Sequence, residues 1–339
     1  MTESLPLNVT LYMRPDCDLC DEARTDLRAL QHDVPHRLAE IDIDSDPALQ
    51  EKYREQIPVV EVGPYVLRAP ISRQDLKMTL GAARDRRDQL TEAGGDEYRN
   101  RVNKGQVMTS ADGAYFWLAR HYLAILNLII FLYVGLPFLA PVLEKVDSPA
   151  AARVIYRIYS PLCHQFAFRS FFLFGEQPYY PLQEAGVAGA KTFDQVSGLA
   201  DLANPYSVSR LDARAYTGDP VVGYKVALCE RDVAIYGAML LFGLIYGLTG
   251  RRLRGLHWLI WMAFFLGPIG LDGFSQLFSQ LNISWLASIL PYRESTPFLR
   301  VLTGGLFGFG TAWFAFPNIE ESMRETRQFF IKKSAMARA

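Results

Sequence analysis

Two cysteines near the N-terminus, Cys17 and Cys20, lie two residues apart in the order Cys-Asp-Leu-Cys. A short apolar run precedes the pair and a helical pattern follows it, which predicts a position at a strand-to-helix turn. The partial positive charge of a helix N-terminus favours a thiolate, and a second thiol one turn further on can resolve a mixed disulfide. The spacing therefore predicts a redox dithiol in which Cys17 attacks and Cys20 resolves.

The same Cys-x-x-Cys spacing also occurs in one half of a zinc site. A structural zinc site needs four ligands, and the first 90 residues contain no second cysteine pair, so redox chemistry is the favoured interpretation. Four acidic side chains surround the pair: Asp16, Asp18, Asp21 and Glu22. Their negative field opposes thiolate formation, which predicts a more reducing and less activated dithiol than that of a strong oxidant.

The elements that would position these cysteines follow from the apolar pattern of residues 1–90. Short runs with β-branched residues predict strands, and a repeat of 3.6 residues predicts helices. The predicted strands are 8–13, 36–43, 59–62 and 65–67, and the predicted helices are 17–30, 47–54 and 72–87. The expected order is β-α-β-α-β-β-α, with Ser72 as the N-cap of the last helix. Residues 91–114, rich in charge and glycine, are predicted to be a linker.

Three short motifs accompany this pattern: Tyr12 five residues before Cys17-x-x-Cys20, Ile57-Pro58-Val59, and Pro70-x-Ser72 before the last helix. With them, residues 1–90 resemble the glutaredoxin-like branch of the thioredoxin fold. The resemblance implies an α/β thioredoxin-like domain in which Pro58 is cis and packs beside the active cysteine. Glutaredoxins also carry a Gly-Gly pair that helps to hold glutathione. This chain has Leu67-Arg68-Ala69-Pro70 in that place, so the resemblance leaves glutathione use open.

The net charge of -1 for the whole chain hides a contrast between its two parts. Residues 1–114 hold 15 basic and 21 acidic side chains, whereas residues 115–339 hold 20 and 15. A dedicated nucleic-acid binder would carry a basic excess, so no nucleic-acid partner is expected. The distribution indicates a soluble first domain and a second domain that lies in a membrane.

Four long uncharged stretches in the second part are each long enough to cross a bilayer. About 20 residues, at a rise of about 1.5 Å each, span the hydrocarbon core. The four predicted spans are 117–141, 232–250, 256–278 and 299–317. Aromatic side chains such as Trp258 and Trp285 lie near their ends, as membrane interfaces favour. Residues 115–317 are therefore expected to form an α-helical transmembrane bundle in contact with the lipid bilayer.

Basic residues indicate the orientation of this bundle. They are concentrated before the first span, in the turn at 250–255 and in the C-terminal tail. An even number of spans puts all three on one side, which the positive-inside rule makes cytoplasmic. Because the polar N-terminus lacks a secretory signal, we expect a multi-pass protein of the cell (inner) membrane with both termini in the cytoplasm. Residues 318–339 are expected to form an amphipathic cytoplasmic tail anchored by Phe329, Phe330 and Ile331.

The segment between the first two spans, residues 144–231, is expected on the outer side. Residues 153–174 are apolar and aromatic but contain three arginines and a histidine. This composition favours a helix that lies at the outer interface or dips into the bundle, rather than a fifth membrane span. Residues 176–222 are polar and are predicted to be a loop-like insertion.

Polar side chains recur near the outer ends of the predicted spans, where ionisable groups usually face the bundle and pair with one another. This outer polar cluster comprises Cys163, His164, Gln165, Arg169, Cys229, Arg231, Asp272, Gln276, Arg293 and Arg300. Three interpretations stay open. The cluster is a structural network in which arginines pair with Asp232, Asp272 and Glu294, a ligand or redox site, or a surface for lipid headgroups or a partner.

The cluster residues fall in distinctive motifs: Cys163-His164-Gln165 with a following Arg-Ser, Cys229-x-Arg231, Pro268-x-x-x-Asp272-Gly273-x-x-Gln276, and Arg-Glu-Ser-Thr leading to Thr303-Gly304-x-x-x-Gly308. On these motifs, most of residues 120–317 resemble an integral-membrane family of unknown function found in bacteria and archaea. The resemblance implies a fold and a membrane location but no activity.

Cys163 and Cys229 both fall on the expected outer side, where disulfides persist. A disulfide or redox pair between them is the favoured hypothesis, and two unconnected thiols are the second. Metal binding by Cys163, His164 and Cys229 is the third. Adjacent residues on a helix point about 100° apart, so joint ligation by the first two would need an unwound backbone.

Two functions of different classes fit this sequence. The favoured one is a membrane-anchored thiol–disulfide oxidoreductase or electron-transfer protein, whose cytoplasmic Cys17 and Cys20 act on a protein thiol or disulfide partner. The alternative is a non-catalytic membrane protein or an accessory subunit of a larger membrane complex, with the first domain as a docking module. No motif demands a cofactor, although a quinone-like carrier or a metal at the outer polar cluster is compatible with the residues.

Overall fold

The structure is a computed structural model that describes residues 6–281 and 289–339. The chain divides into two compact units. The first comprises Met1–His121 together with Glu321–Ala339, and the second comprises Tyr122–Glu320. Trp285, which the sequence suggested at a membrane interface, lies outside the described residues.

The first unit is built on a four-stranded sheet with the strand order β2-β1-β3-β4. Its strands are β1 (Leu7–Met13), β2 (His36–Asp42), β3 (Val59–Val62) and β4 (Tyr65–Arg68). The central strand β1 pairs in parallel with β2 and antiparallel with β3. Six of its seven residues are buried, because helices cover both faces of the sheet.

Three helices cover these faces: α1 (Asp18–Leu30), α2 (Pro47–Tyr53) and α3 (Arg73–Gln106). Leu27 of α1 and Leu80 of α3 share a buried core with β1 and β3 on one face. On the other face, Leu49 and Tyr53 of α2 pack against β2 and β3. The order of elements is the predicted β-α-β-α-β-β-α.

Helix α3 begins as predicted but ends much later. Ser72 caps it in a reciprocal arrangement with Asp75, in which each side chain accepts a hydrogen bond from the other residue's backbone N–H. Gly95 has non-helical backbone angles (φ 51°, ψ −144°), so α3 consists of two helical segments that meet at a kink. Residues 91–106, expected to belong to a linker, are therefore helical.

The second unit contains helices of very different lengths. They are α4 (Ser110–Lys145), α5 (Pro149–Tyr159), α6 (Phe193–Ser197), α7 (Ser209–Ala215), α8 (Glu230–Leu248), α9 (Trp258–Trp261), α10 (Gly267–Ser279) and α11 (Pro297–Arg338). The first turns of α4 and the last turns of α11 belong to the first unit. A π-helical turn, Met262–Leu266, joins α9 to α10.

Four helical segments in the described residues are long and apolar enough to cross a membrane: Ser110–Lys145, Glu230–Leu248, Trp258–Ser279 and Pro297–Arg338. They coincide with the four predicted spans. Glycines of α11 bring it close to α8, since a Cβ at Gly308 would lie 2.0 Å from the carbonyl oxygen of Ile235. Such close approach through small residues is typical of packed membrane helices.

The segment between the first two spans is a folded layer, in which residues 176–222 are mostly irregular and contain only short helices and a two-residue strand. A three-stranded antiparallel sheet orders this layer as β5-β7-β6, with β5 (Ser170–Leu173), β6 (Gly218–Asp219) and β7 (Gly223–Cys229). Its own core contains Phe168, Phe172, Tyr180 and Phe193, all almost fully buried. Residues 153–174 therefore supply the end of α5 and the strand β5 rather than a membrane span.

The C-terminal tail differs from the prediction. Helix α11 continues through Pro317 to Arg338, and its last turns pack on the α2 face of the first unit. Ile331, Ala335 and Met336 join the core that contains Leu49 and Tyr53. Of the three residues expected to anchor the tail, Ile331 packs on the apolar α2 face of the sheet and Phe330 is buried, whereas Phe329 is 60% exposed.

Candidate functional site

Cys17 and Cys20 are joined by a disulfide at the start of α1, with 5.2 Å between their Cα atoms. Cys17 is the N-cap residue, and its Sγ accepts a hydrogen bond from the backbone N–H of Cys20 at 3.2 Å. Cys20 is fully buried, whereas Cys17 is half-buried and the side chain of Leu19 is half exposed. A partner can therefore reach Cys17 but not Cys20, which fits the roles predicted for the two thiols.

The surroundings of the dithiol are acidic and partly apolar. Asp16 and Asp18 are exposed, while Asp21 pairs with Arg24 at 2.6 Å. The Ile57–Pro58 peptide bond is cis, as the resemblance implied, and Pro58 is buried at the start of β3. The exposed carboxylates keep a negative field near Cys17 that disfavours a thiolate there.

A second candidate region lies in the second unit, where Glu294 is held by two arginines. The Nε and Nη2 atoms of Arg169 donate hydrogen bonds to the Glu294 carboxylate at 2.7 and 2.9 Å. Arg300 donates to the same carboxylate. Gln276 adds a hydrogen bond at 3.0 Å. Burial alone would raise the pKa of Glu294, but the charge of Arg169 and its hydrogen bonds hold that pKa below its usual value.

Asp272 forms a similar arrangement with the other two arginines. Arg231 and Arg293 each bind one oxygen of its carboxylate, at 2.5 and 2.7 Å. Ser295, which is fully buried, donates to both oxygens. The two carboxylates are buried and each is paired with two arginines, as ionisable groups near lipid require; these six residues and Gln276 are called the carboxylate network.

The Cys-His-Gln sequence forms a tight turn that the Gln165 side chain fixes in place. Gln165 has a positive φ of 54°. Its buried amide donates to the carbonyl oxygens of Tyr156 and Ala227, at 3.0 and 2.9 Å. The ammonium group of Lys225, fully buried, donates to the carbonyl oxygen of Gln165 at 2.9 Å. Burial lowers the pKa of Lys225 to about 7.

This turn places Cys163 beside Cys229, and both are free thiols in the structure. The carboxylate of Asp232 completes a group of three whose donor atoms all lie within 4.8 Å of one another. A hydrogen bond between the thiols lowers the pKa of Cys163 and raises that of Cys229. His164 is exposed and stacks against Phe166, so it is not part of this group.

Comparison with known families agrees with this geometry. Residues 8–81 match the family described as Glutaredoxin-like domain (DUF836). The first unit carries a glutaredoxin-like domain. Residues 220–314 match the family described as Predicted membrane protein (DUF2085), which is the part of the chain that holds Cys229, Asp272, Glu294 and Arg300.

One solved structure also matches the glutaredoxin-like part of the chain. It is the X-ray structure of a structural genomics target protein, XcR50, from X. campestris, with 33% sequence identity and a TM-score of 0.20. The match covers 22% of this chain and 96% of that one. No curated protein matches the chain.

The predicted fold class, an α/β thioredoxin-like domain followed by a helical bundle of about four spans, is confirmed. The chain is a membrane protein, as the DUF2085 match and the four apolar helices indicate. Its predicted site residues fall into three places. The glutaredoxin-like domain holds Cys17, Cys20 and Pro58, the carboxylate network holds the four arginines with Asp272 and Gln276, and the thiol group holds Cys163 and Cys229.

Some functional-looking residues were not anticipated. Lys225 lies under the Cys-His-Gln turn, and nothing in its local sequence marks it. Glu230, which lies in the polar stretch that opens the second predicted span, is buried and binds Arg300 at 3.4 Å. One of the three interpretations of the outer polar cluster paired Asp232 with an arginine, but within the described residues its carboxylate has no such partner and lies against the two thiols. Only the three-dimensional fold brings Cys163 to that position.

The C-terminal end of α11 also contacts the glutaredoxin-like domain through charged groups. Lys332 binds Glu61 at 2.7 Å, and Tyr53 donates a hydrogen bond to the same carboxylate at 3.0 Å. Burial would raise the pKa of Glu61, but the hydrogen bond and charge of Lys332 hold it below its usual value. Arg327 binds Asp46 at 3.2 Å. These contacts fix the tail on the face opposite α1.

Proposed function

We propose that this protein is a membrane-anchored thiol–disulfide oxidoreductase whose active group is the Cys17–Cys20 dithiol. The observation that carries the proposal is the difference in exposure between the two sulfurs at the start of α1. Cys17 is accessible to a partner, and the fully buried Cys20 can be reached only from within the domain. A purely structural disulfide has no need for one accessible sulfur at a helix N-terminus.

The chemistry is a two-electron exchange with a protein disulfide. The thiolate of reduced Cys17 attacks one partner sulfur, which forms a mixed disulfide and releases the other partner sulfur as a thiolate. The Cys20 thiolate then attacks the Cys17 sulfur, so that the Cys17–Cys20 disulfide forms and the second partner sulfur leaves. The partner gains two electrons and two protons. A low-molecular-weight or protein dithiol returns the enzyme to its reduced form.

The membrane domain holds this chemistry at the inner side of a cell membrane. Basic side chains in the 250–255 turn and in the tail support a cytoplasmic location for both ends of the chain, because loops rich in Lys and Arg stay in the cytoplasm. Arg251, Arg252 and Arg254 all fall in the short connection between α8 and α9. A cytoplasmic dithiol meets partners in a reducing compartment, where an acidic, reducing site is suited to act as a reductant.

A second candidate function is docking without catalysis. The contacts of α11 with the α2 face support it, since they show that the domain binds a helix through an apolar surface and two ion pairs. On this alternative the domain would hold a subunit of a larger membrane complex. It predicts that the two sulfurs have no exchangeable partner, which separates it from the oxidoreductase.

The deciding experiment measures the reduction potential of the dithiol in the full chain in detergent. The protein is equilibrated with glutathione and with the more reducing thioredoxin-type couples, the thiols are alkylated, and the peptide that contains both cysteines is quantified by mass spectrometry. A reversible two-electron transition supports the oxidoreductase. A pair that stays entirely reduced, or entirely oxidised, across the whole range of buffers rejects it.

A trapping experiment then tests the roles of the two sulfurs. The Cys20→Ser variant retains the attacking thiol and should accumulate mixed disulfides with protein partners in cells, whereas Cys17→Ser should not. Cys163→Ser is the matched control, because it removes a cysteine outside the domain and should trap nothing. Equal trapping by Cys17→Ser and Cys20→Ser would contradict the assigned roles.

A further inference from the structure

We propose that Cys163, Cys229 and Asp232 form a binding site for a thiophilic divalent cation of the zinc class. The site is independent of the proposed function of the glutaredoxin-like domain. It differs from the metal site considered from sequence, because Asp232 replaces His164 as the third ligand.

The three donor groups come from separate places in the fold and meet at one point. Cys163 lies in the turn after α5, Cys229 ends β7, and Asp232 lies in the first turn of α8. Each can supply one ligand atom, and these atoms lie within 4.8 Å of one another. Ligands of a tetrahedral zinc ion, at about 2.0–2.3 Å from the metal, lie about 3.3–3.8 Å from one another, so the three side chains need to close by at most about 1–1.5 Å around an ion.

The backbone that carries Cys163 is held rigidly where the site requires it. The Gln165 amide bonds two carbonyl groups, one in α5 and one in β7. Lys225 adds a third bond to the same turn from beneath. Because Cys229 ends the strand that provides two of these contacts, the same hydrogen bonds fix the two sulfurs relative to each other. A preformed arrangement of ligands lowers the entropy cost of binding an ion.

Charge distinguishes Asp232 from its acidic neighbours. Asp272, Glu294 and Glu230 each bind at least one arginine. Within the part of the chain that the structure describes, the carboxylate of Asp232 has neither an ion pair nor a hydrogen bond. It is half-buried and faces two sulfurs that can lose protons. A cation would supply the positive charge that the arginines supply elsewhere in the cluster.

The donor set selects the type of ion. Two thiolates favour soft or borderline metals, and calcium and magnesium, which prefer oxygen ligands, are disfavoured. Binding releases the two thiol protons, because thiolates are the ligating species. Three protein ligands leave the fourth position of a tetrahedral ion to water, as in zinc sites with an open position.

The test uses the full chain in detergent, fully reduced, with cobalt(II) and zinc as probes. We expect one cobalt ion per chain with a thiolate-to-cobalt charge-transfer band, and stoichiometric displacement by zinc. Cys163→Ser, Cys229→Ser and Asp232→Asn should each weaken zinc binding by about 100-fold or more, since even the loss of an outer partner of a metal ligand costs about 10–100-fold. Competition with a chromophoric chelator gives the affinities.

Matched controls separate the site from other thiols and acids. Cys17→Ser and Cys20→Ser remove cysteines from the glutaredoxin-like domain and should leave cobalt binding unchanged, as should Asp212→Asn, which alters an exposed carboxylate in α7. Gel filtration shows which variants remain folded. If none of the three site variants remains folded, the cobalt spectrum of the wild-type chain decides the question by itself.

Three results with cobalt would overturn the proposal. They are the absence of cobalt binding by the reduced wild-type chain, bound cobalt without a thiolate band, and a band that survives in Cys163→Ser or Cys229→Ser. A Cys163–Cys229 disulfide that reforms in the presence of excess zinc would also overturn it, because the thiols would then serve as a redox pair.

Discussion

Asp46 accepts hydrogen bonds from two residues, one near it in sequence and the other 281 residues away, each through a different carboxylate oxygen. One oxygen accepts the backbone N–H of Ala48 at 2.9 Å and so caps α2. The other accepts a hydrogen bond from Arg327 near the end of α11 at 3.2 Å. Both Asp46 and Arg327 are buried. The Asp46 side chain therefore caps α2 and also holds the C-terminal part of α11 against the first unit.

This relationship predicts that Arg327→Met destabilises the first unit strongly. The substitution leaves the buried Asp46 carboxylate without its cation, and removing one partner of a buried pair costs about 3–5 kcal/mol. Chemical unfolding, followed by a probe on the glutaredoxin-like domain, measures the loss. Arg324→Met is the matched control, because Arg324 is exposed and lies 3.9 Å from Glu51. A similar loss in both variants would refute the special role of the buried pair.

The Glu61–Lys332 pair predicts a pH dependence for the docking of the tail. The pKa of Glu61 is lower in the folded protein than its ordinary value of 4.5. Its contribution is therefore fully present above the unfolded pKa and is lost as pH falls through the folded pKa. Since Lys332 is partly exposed, the pair is worth about 0.5–1 kcal/mol.

We expect proteolysis of residues 321–339 to accelerate as the pH falls below 4.5 and through the lower pKa of Glu61 in the folded protein. Lys332→Met should remove part of this pH dependence and make the tail more sensitive already at pH 7. Glu61→Gln should behave in the same way, while the control Lys77→Met changes a lysine of α3 that pairs with Asp33 at 3.5 Å. A wild-type profile that Lys332→Met leaves unchanged would exclude the pair as its cause.

The acidic residues beside Cys17 predict the direction in which the reduction potential responds to charge. Replacing Asp16 and Asp18 by asparagine removes two negative charges that destabilise a thiolate in the reduced form. The reduced state gains stability, so the potential should become more positive by about 10–20 mV, since 30 mV corresponds to about 1.4 kcal/mol and exposed charges are screened by salt. Asp33→Asn, which changes a carboxylate just beyond the C-terminal end of α1, is the control. An equal shift of the potential in this variant would mean that the net charge of the domain, and not the position of Asp16 and Asp18, causes the effect.

Two glycines of α11 offer a paired test of membrane-helix packing. A Cβ at Gly308 would clash with the backbone of α8, whereas a Cβ at Gly305 has nothing within 4 Å. Gly308→Ala should therefore cost about 1–3 kcal/mol through overpacking. Gly305→Ala should be neutral or slightly stabilising, because alanine favours a helix by up to about 1 kcal/mol over glycine. Thermal unfolding in detergent compares them, and equal melting temperatures would contradict the packing.

The elements that the sequence predicted well are those with strong local signals. Helix α1, its cysteine cap and the reciprocal cap of α3 depend on neighbouring residues, and the four spans depend on long uncharged stretches. Strands β5 and β6 are short and end near glycines, so no periodic pattern reveals them. The closeness of Gly223 to Gly175, where a Cβ would lie 2.6 Å from a backbone nitrogen, is a tertiary constraint that local sequence cannot show.

The candidate sites follow the same division. The Cys17–Cys20 pair is local and was predicted with its roles. The outer polar cluster was predicted as a set, but its pairings were not, because Arg169 and Glu294 are 125 residues apart. Cys229 is the N-cap residue of α8 and Asp232 lies in the first turn of that helix, so the local sequence brings these two side chains together. The place of Asp232 beside Cys163 depends on the turn that Gln165 fixes.

The packing of residues 321–339 on the glutaredoxin-like domain has a consequence for biosynthesis. The ribosome delivers the first 90 residues early, but the apolar surface formed by Tyr53 and Ile41 is not covered until Ala335 and Met336 emerge. Throughout insertion of the four spans, the nascent domain exposes this surface. The order of synthesis therefore makes the final packing of the first domain a late event, completed only after the membrane helices have been made.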